Sequence, residues 1–205
     1  MSVEHIEFVV EEPSMEAFLS GLLPRLLGEM SFSIHPFQCK DELLGRLPSR
    51  LRGYANWLPE SHRILVVVDR DDDDCKQLKQ HLEEITLQAG LWTRSSPKDG
   101  RFTVVNRIAI EELEAWYFGD WEAVRAAYPR VSAMVPNQSR YRDPDGVVGG
   151  TWEAFERVLK QTGYFKTGLR KIEAARAISP HIDLARNKSR SFAAFRDVVL
   201  EMITR

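Results

Sequence analysis

The residues with the greatest chemical potential stand where an apolar run meets a run of acid. Ile64-Leu65-Val66-Val67-Val68 is followed at once by Asp69-Arg70-Asp71-Asp72-Asp73-Asp74. A short continuous apolar run reads as a strand buried on both faces, and in an open α/β sheet ligands gather at the carboxyl ends of the strands. Asp69 is the first residue past that strand. If the chain stays extended for two more residues, Asp69 and Asp71 point the same way. Crowded carboxylates raise one another's pKa unless a cation neutralises them, and oxygen donors of this type select hard ions, Mg²⁺ or Mn²⁺. Asp69 and Asp71 are therefore candidate metal ligands, with Asp73 beside them. An acidic turn over Asp72–Asp74 equally suits the positive end of the helix that follows.

Two more acidic groups occupy equivalent places. Glu11-Glu12 follows Val9-Val10, and Glu111, Glu112 and Glu114 follow Ile108-Ala109-Ile110. Three clusters, each just past a strand, would converge on one edge of a parallel sheet. The alternative for Glu111, Glu112 and Glu114 is a purely electrostatic role at a helix N-terminus.

The elements needed to position these groups are legible in the hydrophobic pattern. Val3–Val10 and Phe32–Phe37 read as strands, and Phe102–Ile110 as a further one. Met15, Phe18, Leu19, Leu22, Leu23, Leu26 and Leu27 fall at three- and four-residue steps and predict a helix that Pro24 should kink or shorten. Residues 41–58 look helical in pieces, interrupted by Pro48 and Gly53. Leu78, Leu82, Ile85 and Ala89 mark an amphipathic helix ending at Gly90, and another helix runs from about Glu111 through Phe118. Strands alternating with helices predict an α/β class with a mainly parallel sheet. From Tyr128 to Gly150, prolines and glycines predict an irregular loop. Helices follow at Trp152–Gln161, about Leu169–Ile178 and Phe192–Ile203, with Ser191 as N-cap of the last. Trp116, Trp121 and Trp152 are expected in the core.

Composition bounds the function. At 205 residues the chain makes one domain or a domain with a modest appendage, burying about 70% of its unfolded surface. Two cysteines, an unremarkable N-terminus and no apolar run of membrane-spanning length lead to the expectation of a soluble, cytoplasmic protein without a membrane partner. Residues 1–150 hold 17 Lys+Arg and 24 Asp+Glu, a balance of −7, whereas residues 151–205 hold 11 and 6, a balance of +5. An acidic front and a basic tail suit a metal site beside a surface that receives a phosphodiester. Lys166, Lys188, Arg190 and Ser191, close to helix starts, are the candidate phosphate or nucleic-acid contacts; an ordinary solvated helix entry is the other reading.

Several site classes fail. An EF-hand loop begun at Asp69 would need Gly at Asp74 and Glu at Gln80. No Walker A loop or Gly-x-Gly-x-x-Gly is present. The haloacid-dehalogenase layout, with its aspartate pair near the N-terminus, is not matched, while a metal-dependent glycosyltransferase using Asp-x-Asp stays open. His5, His35, His62, His81 and His181 show no metal-ligand spacing along the chain, so zinc is not expected.

A strand–Glu–helix opening with a later strand–Asp-x-Asp resembles the Toprim domain of topoisomerases, primases and overcoming-lysogenization-defect nucleases. More closely, the chain is similar to the bacterial domain-of-unknown-function family 4276, a Toprim-related group. The likeness rests on Val10-Glu11 through Phe18, Val68-Asp69-Arg70-Asp71 through Cys75, Glu112-Leu113-Glu114-Ala115-Trp116 with Asp120, and Asn187-Lys188-Ser189-Arg190-Ser191-Phe192 with Phe195. Where such proteins often open with Glu-Gly-x-Thr-Glu, this chain has Glu11-Glu12-Pro13-Ser14-Met15. The hydrophobic, Pro/Gly and charge patterns divide the chain into an α/β core over residues 1–127, an irregular loop over 128–150 and a basic helical extension over 151–205 packed on the core. The resemblance implies that the core is Toprim-like (Rossmann-like). It also implies Mg²⁺- or Mn²⁺-dependent phosphodiester hydrolysis of DNA or RNA. Glu11 would be general acid/base or metal ligand, Asp69 and Asp71 metal ligands, and Glu112 and Glu114 candidates for a second ion or for orienting water. Relatives are commonly encoded beside an ABC- or AAA-type ATPase with suspected roles in phage defence, which makes such an ATPase a candidate partner. The alternatives are a non-catalytic partner subunit, and a small-molecule phosphatase or nucleotidyl enzyme.

Overall fold

The computed structural model describes residues 2–71 and 73–204. Four strands, β1 (His5–Val10), β2 (Ser31–Pro36), β3 (His62–Asp69) and β4 (Val104–Ala109), form an all-parallel sheet in the order β2-β1-β3-β4. Helices α1 (Pro13–Leu27), α2 (Lys40–Trp57) and α3 (Cys75–Gln88) make the crossovers. They are followed by α4 (Leu113–Gly119), α5 (Trp121–Ala127), α6 (Thr151–Gln161), α7 (Lys171–Ile178) and α8 (Arg190–Thr204). The α/β class, the parallel sheet and the C-terminal helices agree with the sequence expectation. None of the described helices is long and apolar enough to cross a membrane.

The period-two alternation of each strand divides the core. Ile6, Phe8 and Val10, with Leu65, Val67 and Val105, face a thick layer of α1 and α4–α8. Val9, Ile64, Val66, Val68 and Val104 face the thin layer of α2 and α3. The C-terminal helices thus share one apolar cluster with β1, β3 and α1. Phe8, Phe155, Phe192 and Phe195 are buried there, each contributing about 1.5–3 kcal/mol.

Local expectations are corrected in four places. Residues 40–57 form one uninterrupted helix, although Pro48 lies inside it. A mid-helix proline costs about 3 kcal/mol, but Leu43, Leu47, Leu51 and Tyr54 form a buried stripe whose four side chains offset that cost at about 1.5–3 kcal/mol each. Helix α1 continues through Pro24 to Leu27 and closes where the Gly28 N–H donates to the Pro24 carbonyl at 3.2 Å. Helix α5 was not anticipated. Asp120 starts it by accepting from the Ala123 N–H at 3.4 Å, and the 128–150 segment contains three short 3₁₀ turns. Finally, the cap of α8 is Ser189, whose Oγ accepts from the Phe192 N–H at 3.1 Å. Ser191 lies inside the helix. Trp116 and Trp121 are in the core as expected, while Trp152 is half-buried.

The order β2-β1-β3-β4 places a topological switch point between β1 and β3. From β1 the chain leaves through α1 on the thick side, and from β3 through α3 on the thin side. The crevice at such a point is where open α/β sheets bind ligands, and Glu11 and Asp69 stand on its two sides.

Candidate metal centre at the carboxyl edge of the sheet

Glu11, Asp69 and Glu114 come together as buried acids, at 9%, 4% and 1% exposure. The Glu11 Oε2 accepts the backbone N–H of Asp69 at 2.9 Å, tying the ends of β1 and β3 across the switch point. Among the described residues, Asp69 Oδ1 and both carboxylate oxygens of Glu114 have no hydrogen-bond partner. Buried polar oxygens are nearly always paired, so three orphans at one edge need an explanation.

Electrostatics expresses the same crowding. Burial pushes the Glu11 carboxyl up to about 7, and the Asp71 and Glu12 charges add to it against the Asp69 N–H bond and Lys40. Burial likewise pushes Glu114 up to about 7, opposed by Lys171 and reinforced by Glu112 and Glu12. Asp69 is held well above the usual carboxylate range by burial and by Glu11, Glu12, Glu114 and Asp71. Acids that titrate near neutrality are suited both to moving a proton and to releasing it for a cation. The donors are all hard oxygens and several lack partners, so the set fits Mg²⁺ or Mn²⁺. Asp69 and Glu114 would hold the ion, with Glu11 beside them.

The outer acids are arranged differently. Asp71 takes a left-handed conformation, φ +48°, so the chain does not stay extended beyond Asp69 and the two side chains do not repeat one direction. Glu111, at the end of β4, is also left-handed at φ +64°, and its carbonyl accepts the Asp71 N–H at 3.1 Å. Two non-glycine residues in this region, joined to one another, mark a constrained edge. Glu111 also pairs with Arg70. Asp71 and Asp73 are exposed and share the Lys40 ammonium, at 2.8 Å from each. Lys40 is drawn down by burial, but those two carboxylates and Glu11 raise it overall. Asp74 performs the capping role, accepting from the N–H groups of Lys76 and Gln77 at 2.9 Å. Asp72 lies outside the described residues.

Glu112 does not join the orphaned oxygens. Its Oε2 accepts from Thr151 Oγ1 and from the Trp152 N–H, both at 2.9 Å, which fixes the start of α6. Beside it, an open cleft of about 620 Å³ runs from Asp71 and Glu111 to the Gly146–Gly150 loop and Trp152. The 128–150 segment therefore ends against the carboxylate edge.

The basic candidates fall elsewhere. Lys166 is exposed, and Lys188 projects to solvent while its N–H donates to the Gly119 carbonyl at 2.9 Å. Arg190 pairs with Asp143 at 3.1 Å. Ser191 is buried, accepting from Trp116 Nε1 at 2.8 Å and donating to Asp145 at 3.1 Å. The sequence motifs around Trp116 and Asn187 are thus one interlock. Asn187 Nδ2 donates to the Trp116 carbonyl at 2.9 Å, and the Trp116 ring lies against Phe192 and Phe195. A side chain at Gly119 would clash with Asn187 and come within 2.9 Å of the Ser189 nitrogen. The interlock holds α4 against α8, and with it Glu114.

Three further residues belong to the site, and two of them, Lys40 and Lys171, carry no signal in the local sequence. Lys40 arrives from the start of α2. Lys171 arrives from the start of α7, 3.7 Å from Glu12; burial lowers its ammonium, but Glu114, Glu12 and Glu112 raise it overall. Tyr117, one turn after Glu114, is buried with its hydroxyl unpartnered and its pKa raised by burial and by Glu114. Helical spacing from Glu114 was the available clue for Tyr117.

The chain matches the family model described as "Domain of unknown function (DUF4276)" over residues 10–200, and it belongs to that family. No curated protein and no solved structure matches it.

Proposed function

We propose that this chain is a divalent-metal-dependent phosphodiester hydrolase, a nuclease of Toprim type acting on DNA or RNA. The observation that carries the reading is the set of buried, unpartnered carboxylate oxygens of Asp69 and Glu114 beside Glu11 at the switch point. A bound Mg²⁺ or Mn²⁺ would supply charge stabilisation to a phosphoryl group and acidify a water. Asp69 and Glu114 are the residues to hold that ion. Glu11, raised to about 7, exchanges a proton near neutral pH, which is the property a general base requires. The Asp69 N–H keeps the Glu11 carboxylate oriented. Tyr117, with its hydroxyl unpartnered, remains protonated and able to donate. The open cleft beside Asp71 gives an extended substrate room to reach the edge. An ATPase partner in a phage-defence assembly belongs to the same proposal and rests on the family resemblance alone.

A second reading draws on Lys40 and Lys171, which already neutralise part of the acid cluster: a regulatory subunit whose edge is held by ammonium groups. Cleavage of labelled single- and double-stranded DNA and RNA with Mn²⁺ or Mg²⁺ separates the two. The nuclease reading expects metal-dependent cleavage that falls roughly 100- to 10,000-fold in Glu11→Gln and is lost in Asp69→Asn, with both variants folded. Cleavage indifferent to both substitutions, or none with any of these substrates, overturns it. Turnover of a small phosphate ester alone would move the assignment to a phosphatase.

A further inference from the structure

At the opposite end of the sheet the parallel register brings together His5 and His62, far apart in sequence, and the side chain of His35 reaches toward them from the level of Val9 to meet Glu7. His5 pairs with His62 across β1 and β3, and Val9 pairs with His35 across β1 and β2. With the period-two alternation of β1, His5, Glu7, His35 and His62 all project from the thin-layer face. One ligand atom from each of His5, Glu7 and His62 can be chosen so that all three lie within 4.8 Å of one another. From these residues we infer a transition-metal site, formed by His5, Glu7 and His62 and distinct from the carboxylate edge, for an ion of the Zn²⁺ class.

The hydrogen bonds around His5 show why a cation belongs there. Ser31 Oγ donates to the Glu4 carbonyl at 2.9 Å, so it accepts from His5 Nδ1 at 2.7 Å. His5 therefore carries its proton on Nδ1 and turns the Nε2 lone pair toward Glu7 Oε1, 3.4 Å away. Two acceptors facing one another are repulsive unless a proton or a metal lies between them. The same 3.4 Å is the edge of a tetrahedron with metal–ligand bonds of roughly 2.1 Å. His62 adds a buried Nδ1 with no hydrogen-bond partner, its ring centroid 4.8 Å from that of His5. Closing the widest separation to tetrahedral spacing needs a movement of about 1.4 Å, within the reach of side-chain rotation.

Outer contacts of the kind that orient metal ligands are already in place. Ser31 fixes the His5 tautomer, while His35 Nε2 at 2.5 Å and the Tyr54 hydroxyl at 3.3 Å hold the second oxygen of Glu7. Two imidazoles and one carboxylate leave a position open, and imidazole donors select Zn²⁺, Fe²⁺, Co²⁺ or Ni²⁺ over the hard ions of the other edge. Six residues of extended chain separate His5 from Glu11, or about 20 Å, so the two sites are independent.

The test uses the full chain stripped with chelator and titrated calorimetrically with Zn²⁺, and with Co²⁺ followed by its visible spectrum. Wild type and Asp69→Asn should both bind one equivalent at this site, with a Co²⁺ spectrum of nitrogen and oxygen ligation. At a hundredfold excess over Kd, the melting temperature should rise by roughly 5–10 °C. His62→Gln and, separately, His5→Gln should weaken binding at least tenfold and abolish the thermal shift, while melts without metal confirm that each variant folds. Absence of saturable Zn²⁺ binding overturns the inference, as does binding unaltered by both histidine substitutions. Binding lost in Asp69→Asn but retained in the histidine variants would assign the ion to the other edge and equally overturns it.

Discussion

The backbone N–H of Asp69 points at the carboxylate of Glu11 across 2.9 Å. This bond joins the ends of two neighbouring strands whose crossover helices depart to opposite faces. It also fixes one Glu11 oxygen, leaving the other free for chemistry. No substitution at Asp69 other than proline removes this backbone donor, so the orientation of Glu11 is as secure as the pairing of β1 with β3.

The first prediction concerns pH. Glu11 and Glu114 are raised from 4.5 to about 7 in the folded chain. Between those values the folded state binds more protons than the unfolded state, so stability is greatest on the acid side and is lost as pH rises through 7. The upper limit is about 3 kcal/mol for each group. Thermal melts of metal-free protein should show a lower melting temperature at pH 8 than at pH 5.5, with millimolar Mn²⁺ restoring much of the difference at pH 8. A melting temperature that climbs over this interval would refute the assignment.

The second prediction concerns charge balance. Lys171→Met removes the cation opposing the upward shift of Glu114 and should destabilise the protein by about 3 kcal/mol at pH 8. Glu114→Gln removes the acid and should be neutral or stabilising. In the double variant the two changes should be strongly non-additive, a coupling of 0.5–3 kcal/mol being typical of groups in one network. Urea denaturation of the four proteins measures it.

The third prediction contrasts two helical glycines. Gly119→Ala drives a methyl group into Asn187 and the Ser189 backbone, at a cost of roughly 1–3 kcal/mol. Gly45→Ala, in exposed α2 with open space around the added carbon, should stabilise by about 1 kcal/mol. Opposite shifts in denaturation midpoint are expected.

The fourth prediction isolates the interlock. Asn187→Ala leaves the buried Trp116 carbonyl without its donor, which costs about 1–3 kcal/mol. Amide exchange should then accelerate in α4 and at the start of α8 before it does so in β1 or β3.

Much of the architecture was legible because β1, β3 and β4 each run into acid and each crossover carries a regular apolar stripe. Asp69 and Glu11 could be placed at one edge from strand position alone. Asp71 was harder: its left-handed backbone depends on the bond from its N–H to the Glu111 carbonyl, which is forty residues away. Pro48 and Gly53 misled the reading of α2 because local propensity yields to a buried stripe. Lys40 and Lys171 were invisible because cations near helix starts have no local pattern. The histidines have no metal-ligand spacing along the chain for a related reason: the register of β1 with β3 creates it across strands.

The placement of Lys171 has a consequence for how the chain acquires its structure. During synthesis from the N-terminus, β4 and Glu114 emerge 57 residues before Lys171. The nascent sheet therefore confronts Glu11, Asp69 and Glu114 with no counter-charge from α7. Protons or a divalent ion must fill that role until α7 docks. Docking of α7 is thus the step that makes the folded state self-sufficient, and refolding should be fastest in mildly acidic or metal-supplemented buffer.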